Sequence, residues 1–359
     1  MERILQVVTY MGRGGIESML MNHYRHIDRR IIQFDFLVHR DFRADFDDEI
    51  EALGGHIYRI PPMNPASGSY RKALADFFRN HPYRVVHCHL NYMSGVVLAA
   101  AKKAGVPVRI AHSHTASMNP GWKQAVRQIA KYLIPFTATT MLACSQNAGR
   151  AVYGNHHFSL MANAIDAQKY RYCEARREQI RKNLALGDAF TVMHVGRFSY
   201  PKNHMFLLDA FAQLLKIKPD AKLILVGDGE LRAEVEEKAA QLPQGSVLLL
   251  GTRGDIADLL QAADVFIFPS RFEGMPVTMI EAQAAGVPCI KSDTVTDECI
   301  VTGLVTSLPI TDPALWAKEI VKKQDASHHD QFAAIQASGY DISTAAEKLV
   351  QFYLNGEPL

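Results

Sequence analysis

The chain has 359 residues, of which 48% are hydrophobic and 21% charged, and its 39 Lys+Arg against 37 Asp+Glu give a net charge of +2. At ~150 residues per domain this predicts two domains, with enough apolar side chain for two cores, and excludes a disordered chain. The balanced charge argues against a nucleic-acid binder, which carries a basic excess or a basic stripe.

A membrane span needs roughly 20 apolar residues. The purest apolar run, 96–101, stops at Lys102. The first eight residues contain charges and lack a cleavage site, so they do not resemble a signal peptide. Cys88, Cys144, Cys173, Cys289 and Cys299 are odd in number and never spaced C-x-x-C, which predicts reduced thiols. A cytoplasmic protein is expected.

Strand-like and helix-like runs alternate along the chain. In the first half the strand candidates are 4–9, 33–38, 56–60, 84–87, 106–111 and 139–143. Between them Ile16, Met19, Leu20, His23 and Ile27 share a helical face, as do Leu74, Phe77 and Phe78. The second half repeats the pattern with strands at 190–195, 222–226, 246–250, 265–268 and 288–291, and helices at 205–216, 231–241, 256–262 and 277–285. This is the signature of βαβ units and parallel sheets covered on both faces.

The polar stretch 164–188 marks a boundary. We expect an α/β chain of two Rossmann-like, doubly wound domains, 1–165 and 166–340, and a final helix in 341–359 packing back on the first domain. Ala345, Leu349, Phe352 and Tyr353 supply that helix with an apolar face. Such sheets bind ligands beyond the carboxyl ends of their strands, so two of them are expected to face each other across a cleft.

Several strand ends carry chemistry. The first leads into Gly12-Arg13-Gly14-Gly15-Ile16-Glu17, where glycines and a helix start would bring N–H groups to a phosphate. As a dinucleotide fingerprint it fails, because Glu17 occupies the third glycine position; a tight strand-to-helix turn is the alternative. Gly196-Arg197-Phe198-Ser199-Tyr200-Pro201-Lys202 places two cations five residues apart on a strand-to-helix loop, which suits a diphosphate or a solvated surface. Gly227-Asp228-Gly229 is a further glycine turn.

The richest stretch runs from Phe268 to Ala282. Pro276 fits the first position of a helix that Gly286 and Pro288 would stop. Glu273 then lies in the loop and Glu281 inside the helix, with the amides of Gly274, Met275 and Val277 between them. The pair could grip hydroxyls at two ends of a phosphorylated ligand, or be a loop charge and a solvated helix residue. His87/His89 and His112/His114 are H-x-H pairs without a third ligand at suitable spacing, which favours polar groups at a cleft rim over zinc. Asp45-Phe46-Asp47 fits an acidic helix start better than a cation site.

Gly14-Gly15, G-R-x4-K from Gly196 to Lys202, Gly227-Asp228-Gly229 and E-x7-E at Glu273 and Glu281, in that order over nearly the whole chain, resemble the retaining family-4 glycosyltransferases of the GT-B fold. G-R-F-S-Y-P-K-N-H, L-V-G-D-G-E-L-R and F-P-S-R-F-E-G-M-P-V look like the bacterial exopolysaccharide and capsule branch. The resemblance implies a nucleotide-sugar donor. Glu281 would bind its ribose and Glu273 its sugar hydroxyls. Arg197 and Lys202 would hold the diphosphate, with the backbone of Gly274, Met275, Pro276 and Val277 and of Gly14-Gly15. Uracil would rest near Thr252 and Arg253, and His114, or else His112, would face the donor sugar. Asn163-Ala164-Ile165-Asp166 departs from the family's N-G-I-D, and His114-Thr115 from its H-D or H-G.

The implied reaction is metal-independent and needs no cofactor, with Glu273, His114, Arg197 and Lys202 as catalytic groups. A lipid-linked glycan is the expected acceptor. The run 121–133 supports this with Lys123, Arg127 and Lys131 on one helical face and Trp122, Val126, Ile129 and Leu133 on another. That pattern fits a helix resting on anionic membrane at the inner face of the plasma membrane, or a core-facing helix with a basic edge. The alternatives are an epimerase of the same fold, a dehydrogenase drawing on Gly12, Gly14 and Asp41, and a sensor that binds the nucleotide-sugar without catalysis.

Overall fold

The structure, a computed structural model, describes residues 1–114, 123–324, 326, 328–357 and 359, with backbone alone for 123–127. Thr115, Gly121 and Trp122, and the side chains of Lys123, Val126 and Arg127, lie outside the described residues. The chain divides into two compact units, 1–164 with 342–359, and 165–341.

The first unit runs β1 (Glu2–Val8), α1 (Gly15–His26), β2 (Ile32–Val38), α2 (Asp47–Ala52), β3 (Ile57–Arg59), α3 (Gly68–Asn80), β4 (Val85–Cys88), α4 (Ser94–Lys103), β5 (Val108–Ser113), α5 (Lys123–Thr137), β6 (Thr140–Ala143), α6 (Gln146–Tyr153) and β7 (Ser159–Leu160). The second runs α7 (Ala167–Tyr170), α8 (Glu174–Asn183), β8 (Thr191–Val195), α9 (His204–Leu215), β9 (Lys222–Val226), α10 (Arg232–Ala239), β10 (Val247–Leu249), α11 (Ile256–Gln261), β11 (Val265–Phe268), α12 (Val277–Ala284), β12 (Cys289–Ser292), β13 (Val305–Leu308), α13 (Pro313–Lys322) and α14 (Phe332–Ala337). The last helix, α15 (Ile342–Asn355), completes the first unit.

Both sheets are parallel, with orders β3-β2-β1-β4-β5-β6-β7 and β10-β9-β8-β11-β12-β13. Each reverses winding beside its first strand, between β1 and β4 and between β8 and β11. The crevice beyond the carboxyl ends of such a strand pair is where open α/β sheets take ligands.

Side chains alternate across a strand, so a sheet covered by helices packs on both of its faces. In the first unit Ile4, Val8, Val85 and Ile110 pack on Met19 and Leu20 of α1 and Leu349 and Tyr353 of α15. On the other face Leu5, Val7, Val86 and Ala111 meet Leu74, Phe78, Val97, Ile134 and Val152 from α3 to α6. In the second unit Phe198, Leu207, Phe211, Leu225, Ile267 and Trp316 form one core. The indole N–H of Trp316 donates to the Pro309 carbonyl at 2.8 Å, which satisfies its polar atom.

Two strands are not expected from the sequence, and two expectations need correction. The edge strands β7 and β13 carry no apolar run that marks them in the sequence. Pro276 stands one residue before α12, as its N-cap. Helix α5 is also turned differently from either face expected for it. Ala130 and Ile134 face the core, while Ile129, Tyr132 and Phe136 are 67%, 70% and 74% exposed. The cause is its contact with α4, where a Cβ on Gly95 would lie 2.3 Å from the Ala130 carbonyl oxygen, so the small residues must meet there. Lys131 is not a solvated edge; its ammonium donates to the Ala151 carbonyl at 2.8 Å. Ala164 is unstrained: the non-glycine residues with positive φ are Asn91, Ala185 and Asn203 among the described residues.

Candidate functional site

In the second unit the loops after β8 and β11 flank the reversal. The first follows a tight course because Gly227 and Gly229, after β9, press against it. A Cβ on Gly227 would lie 2.1 Å from the Gly196 carbonyl oxygen, and one on Gly229 2.4 Å from that of Phe198. Gly227 also holds φ at +140°, which L side chains rarely adopt. The Gly227-Asp228-Gly229 turn therefore shapes the cation loop. Phe198 anchors that loop in the core. Asn203 closes it in the left-handed conformation, which asparagine tolerates. Its Nδ2 donates to the Pro269 carbonyl at 3.2 Å, and its Oδ1 accepts from Arg271 at 2.9 Å, tying the loop to the one after β11.

Lys202 and Glu273 come together across this crevice. The ammonium lies 2.8 Å from the carboxylate, an ion contact without hydrogen-bond alignment, with both side chains mostly buried. It also sits 4.6 Å from the Phe268 ring centroid. Beneath it His194 and His204 are neutral. Burial pushes both pKa values down, His204 to about 4, and the Lys202 charge adds to the effect. Arg197, on the same loop, points to solvent and pairs with Glu230 at 3.0 Å. The two expected clamp cations thus have different partners.

Glu281 is inside α12 as expected, and its carboxylate accepts from the Tyr170 hydroxyl at 2.8 Å. Burial pushes its pKa up, and the Tyr170 hydrogen bond opposes this in part. Met275, before α12, is 3.6 Å from the Tyr340 hydroxyl through its sulfur. Thr252 and Arg253 follow β10 and are exposed, with Arg253 held by Asp255 at 2.8 Å. Tyr170, Glu230 and Tyr340 were not foreseen; nothing local in the sequence marks them as partners of Glu281, Arg197 and Met275. Nor was Lys291 on β12, fully buried, whose ammonium donates to the Val295 carbonyl at 2.7 Å and pairs with Asp297 at 2.8 Å.

In the first unit Gly14 is the N-cap of α1 and Gly15 its first residue. Glu17 folds back over this turn, so that a Cβ on Gly14 would lie 2.2 Å from its carboxylate oxygen. Burial raises the Glu17 pKa. The acidic start of α2 is as expected, with Asp47 buried and paired to Arg59.

The two H-x-H pairs, treated as separate in the sequence, are brought side by side by the pairing of β4 with β5. His87, His89 and His112 are buried and His114 nearly so. Nitrogens of His87, His89 and His112 lie within 4.8 Å of one another, close enough to enclose a cation. Five of their six nitrogens already have hydrogen-bond partners, however. His87 meets the Tyr353 hydroxyl at 2.6 Å and His112 Nδ1 at 3.1 Å. His89 meets Gln6 Oε1 at 2.9 Å and His114 Nε2 at 3.0 Å. The donor set fits a hydrogen-bond chain better than a metal cradle.

Residues 14–156 match the family described as "Glycosyl transferase 4-like domain" and residues 189–323 that described as "Glycosyl transferases group 1". The chain is 36% identical over 373 residues to EpsF of Bacillus subtilis (strain 168), a protein named as a glycosyltransferase, covering 98% of this chain and 96% of that protein. It is 30% identical over 242 residues to the UDP-Gal:alpha-D-GlcNAc-diphosphoundecaprenol alpha-1,3-galactosyltransferase of Escherichia coli, covering 64% of this chain and 62% of that one. Among solved structures, Anabaena HepE in complex with UDP superposes with a TM-score of 0.82 at 19% identity, over 98% of this chain and 99% of that one. With two doubly wound sheets, the E-x7-E helix and matches along both halves, the chain is a GT-B glycosyltransferase of the group 1 and 4-like families, in the branch that builds exopolysaccharides and capsules.

Proposed function

We propose that this glycosyltransferase takes its sugar from a UDP-sugar and transfers it, with retention at the anomeric carbon, to a glycan carried on a lipid. The observation that carries the reading is the Lys202–Glu273 pair across the β8/β11 crevice, with Glu281 in the helix that follows. Support for UDP comes from the bound ligand of HepE, and support for the acceptor from the name of the Escherichia coli relative.

Transfer builds positive charge on the sugar carbon and negative charge on the departing diphosphate. Preorganised cations and amide dipoles aimed at the leaving group stabilise that state. Lys202 would supply the charge, with Arg197 turning from Glu230 to the phosphates when ligand binds. The amides of Gly274, Met275 and Val277 at the start of α12 would add dipoles, and no metal would be needed. Glu273 would position sugar hydroxyls and Glu281 the ribose. The leaving phosphate would itself take the acceptor proton, so Glu273 need not act as a base.

The exposed stripe Ile129, Tyr132, Leu133 and Phe136 on α5 is the surface we assign to an anionic membrane, where a lipid-linked acceptor resides. The donor assignment is tested by thermal unfolding with UDP, GDP, ADP and CDP, followed by a crystal structure with the best ligand. Selective stabilisation by UDP, seated against Lys202 and Glu281, is expected. Turnover of the UDP-sugar without any acceptor would favour an epimerase instead.

A further inference from the structure

The four histidines form a hydrogen-bond chain anchored at two other residues. Gln6 on β1 faces them because β1 pairs with β4, Gln6 opposite His87. Tyr353 reaches them from α15. Besides the contacts already given, Gln6 Nε2 donates to the Tyr353 hydroxyl at 3.1 Å. All these groups belong to the first unit.

A neutral imidazole has one N–H and one lone pair. Burial keeps all four neutral, pulling His114 down to about 3 and the other three well below their ordinary value. With the Gln6 amide placed as it is, the proton positions follow in sequence. Gln6 Oε1 can only accept, so His89 donates from Nε2 and accepts at Nδ1. His114 must therefore donate from Nε2, which leaves its Nδ1 a lone pair. On the other branch the Gln6 amide can only donate, so the Tyr353 hydroxyl accepts from it and turns its own proton to His87 Nδ1. His87 donates from Nε2 to His112 Nδ1, which leaves an N–H at His112 Nε2. Mixing the two orders would set donor against donor or lone pair against lone pair in a buried site, which leaves polar groups unsatisfied.

We propose that Gln6 and Tyr353 are positioning residues that lock His87, His89, His112 and His114 in one common tautomer, so that the end of β5 presents one N–H and one lone pair, shared between His112 and His114, to a hydroxyl-bearing ligand. Those two atoms, His112 Nε2 and His114 Nδ1, are buried and have no hydrogen-bond partner among the described residues. One donor and one acceptor match an alcohol, which can accept from the first and donate to the second. Rotating the single Gln6 amide by half a turn would convert all four rings to the Nδ1–H form, so one side chain sets the polarity of the whole array. Only the identity of the ligand rests on the glycosyltransferase reading above.

The test uses the ligand-free full chain, labelled with 15N in histidine, and two-bond 1H–15N correlation spectra, with each ring assigned through its own backbone amide. In the wild type all four rings are expected in one and the same neutral tautomer. Tyr353→Phe removes the hydroxyl while keeping the ring, and is expected to release His87 and His112 into mixed tautomers while His89 and His114 stay ordered. Gln6→Met removes the anchor of both branches and is expected to release all four rings. A general loosening of the fold would not separate the two branches. A mixed set in the wild type, Tyr353→Phe moving all four rings or none, Gln6→Met moving none, or stoichiometric zinc in the purified chain would overturn the proposal. Failure of UDP to bind would leave these spectra unchanged, so the two readings fail separately.

Discussion

Lys202 and Arg197 were equivalent in the sequence and are not equivalent in the fold. Lys202 is mostly buried against Glu273, whereas Arg197 stands in solvent beside Glu230. Exposed ion pairs contribute little, so detaching Arg197 from Glu230 costs ligand binding almost nothing. Lys202→Ala or Arg197→Ala is expected to slow transfer by ~10²–10³, as removal of one preorganised donor does; near-normal steady-state rates for both would refute the clamp. Glu281 allows a sharper test. Its pKa is raised in the fold by burial, so the folded state holds its proton more tightly than the unfolded chain. The resulting stabilisation is present below the ordinary carboxylate range and is lost as pH rises through the folded pKa. Glu281→Gln should therefore raise the melting temperature of the ligand-free protein at pH 7–8 and leave it unchanged near pH 4. The same variant should lose the rise that UDP gives. Both arms are read by calorimetry. The motif spacing made Glu281 legible because E-x7-E is local. Tyr170 is 111 residues away, and no local pattern connects a tyrosine to a carboxylate it meets only after two helices have packed.

Among the elements, the central strands were legible because continuous apolar runs mark strands covered on both faces. The edge strands β7 and β13 were not: Ser159–Leu160 is two residues long, and Val305–Leu308 has Thr306 and Ser307 between its apolar ends, so neither offers a continuous apolar run. Helix α5 shows how periodicity alone can mislead. It fixes which residues share a face but not which face is turned inward, and here the close approach at Gly95 decides. The outward stripe of Ile129, Tyr132, Leu133 and Phe136 has spacing i, i+3, i+4 and i+7, that of one helical face. The double substitution Ile129→Ser, Phe136→Ser removes exposed apolar surface with no core contact. We expect stability to change by less than about 0.5 kcal/mol, the usual range for surface positions. Sedimentation with anionic vesicles should fall sharply in the same variant. If the wild type itself fails to sediment with anionic lipid, the membrane assignment is wrong.

At the scale of the whole molecule, the chain leaves its first unit after residue 164 and returns to it at residue 342. The sheet face bearing Ile4, Val8, Val85 and Ile110 is half covered by α1 from the start and completed only by α15. The amphipathic end of the sequence predicted a helix and where it would pack; that it also brings Tyr353 to the histidines could not be read, since the contact spans 266 residues. Cores of this kind lose ~2–5 kcal/mol when a buried leucine becomes alanine. Leu349→Ala is expected to destabilise by that amount, and Leu349→Asp by more, because an unpaired buried charge adds its desolvation penalty. The loss should fall on one unit alone. Each unit has its own sheet and cores, so calorimetry of Leu349→Asp should show the transition of the first unit lowered or absent while that of the second keeps its temperature. A single transition lowered as one would mean that the final helix supports both sheets, and that the return of the chain stabilises more than the face it covers.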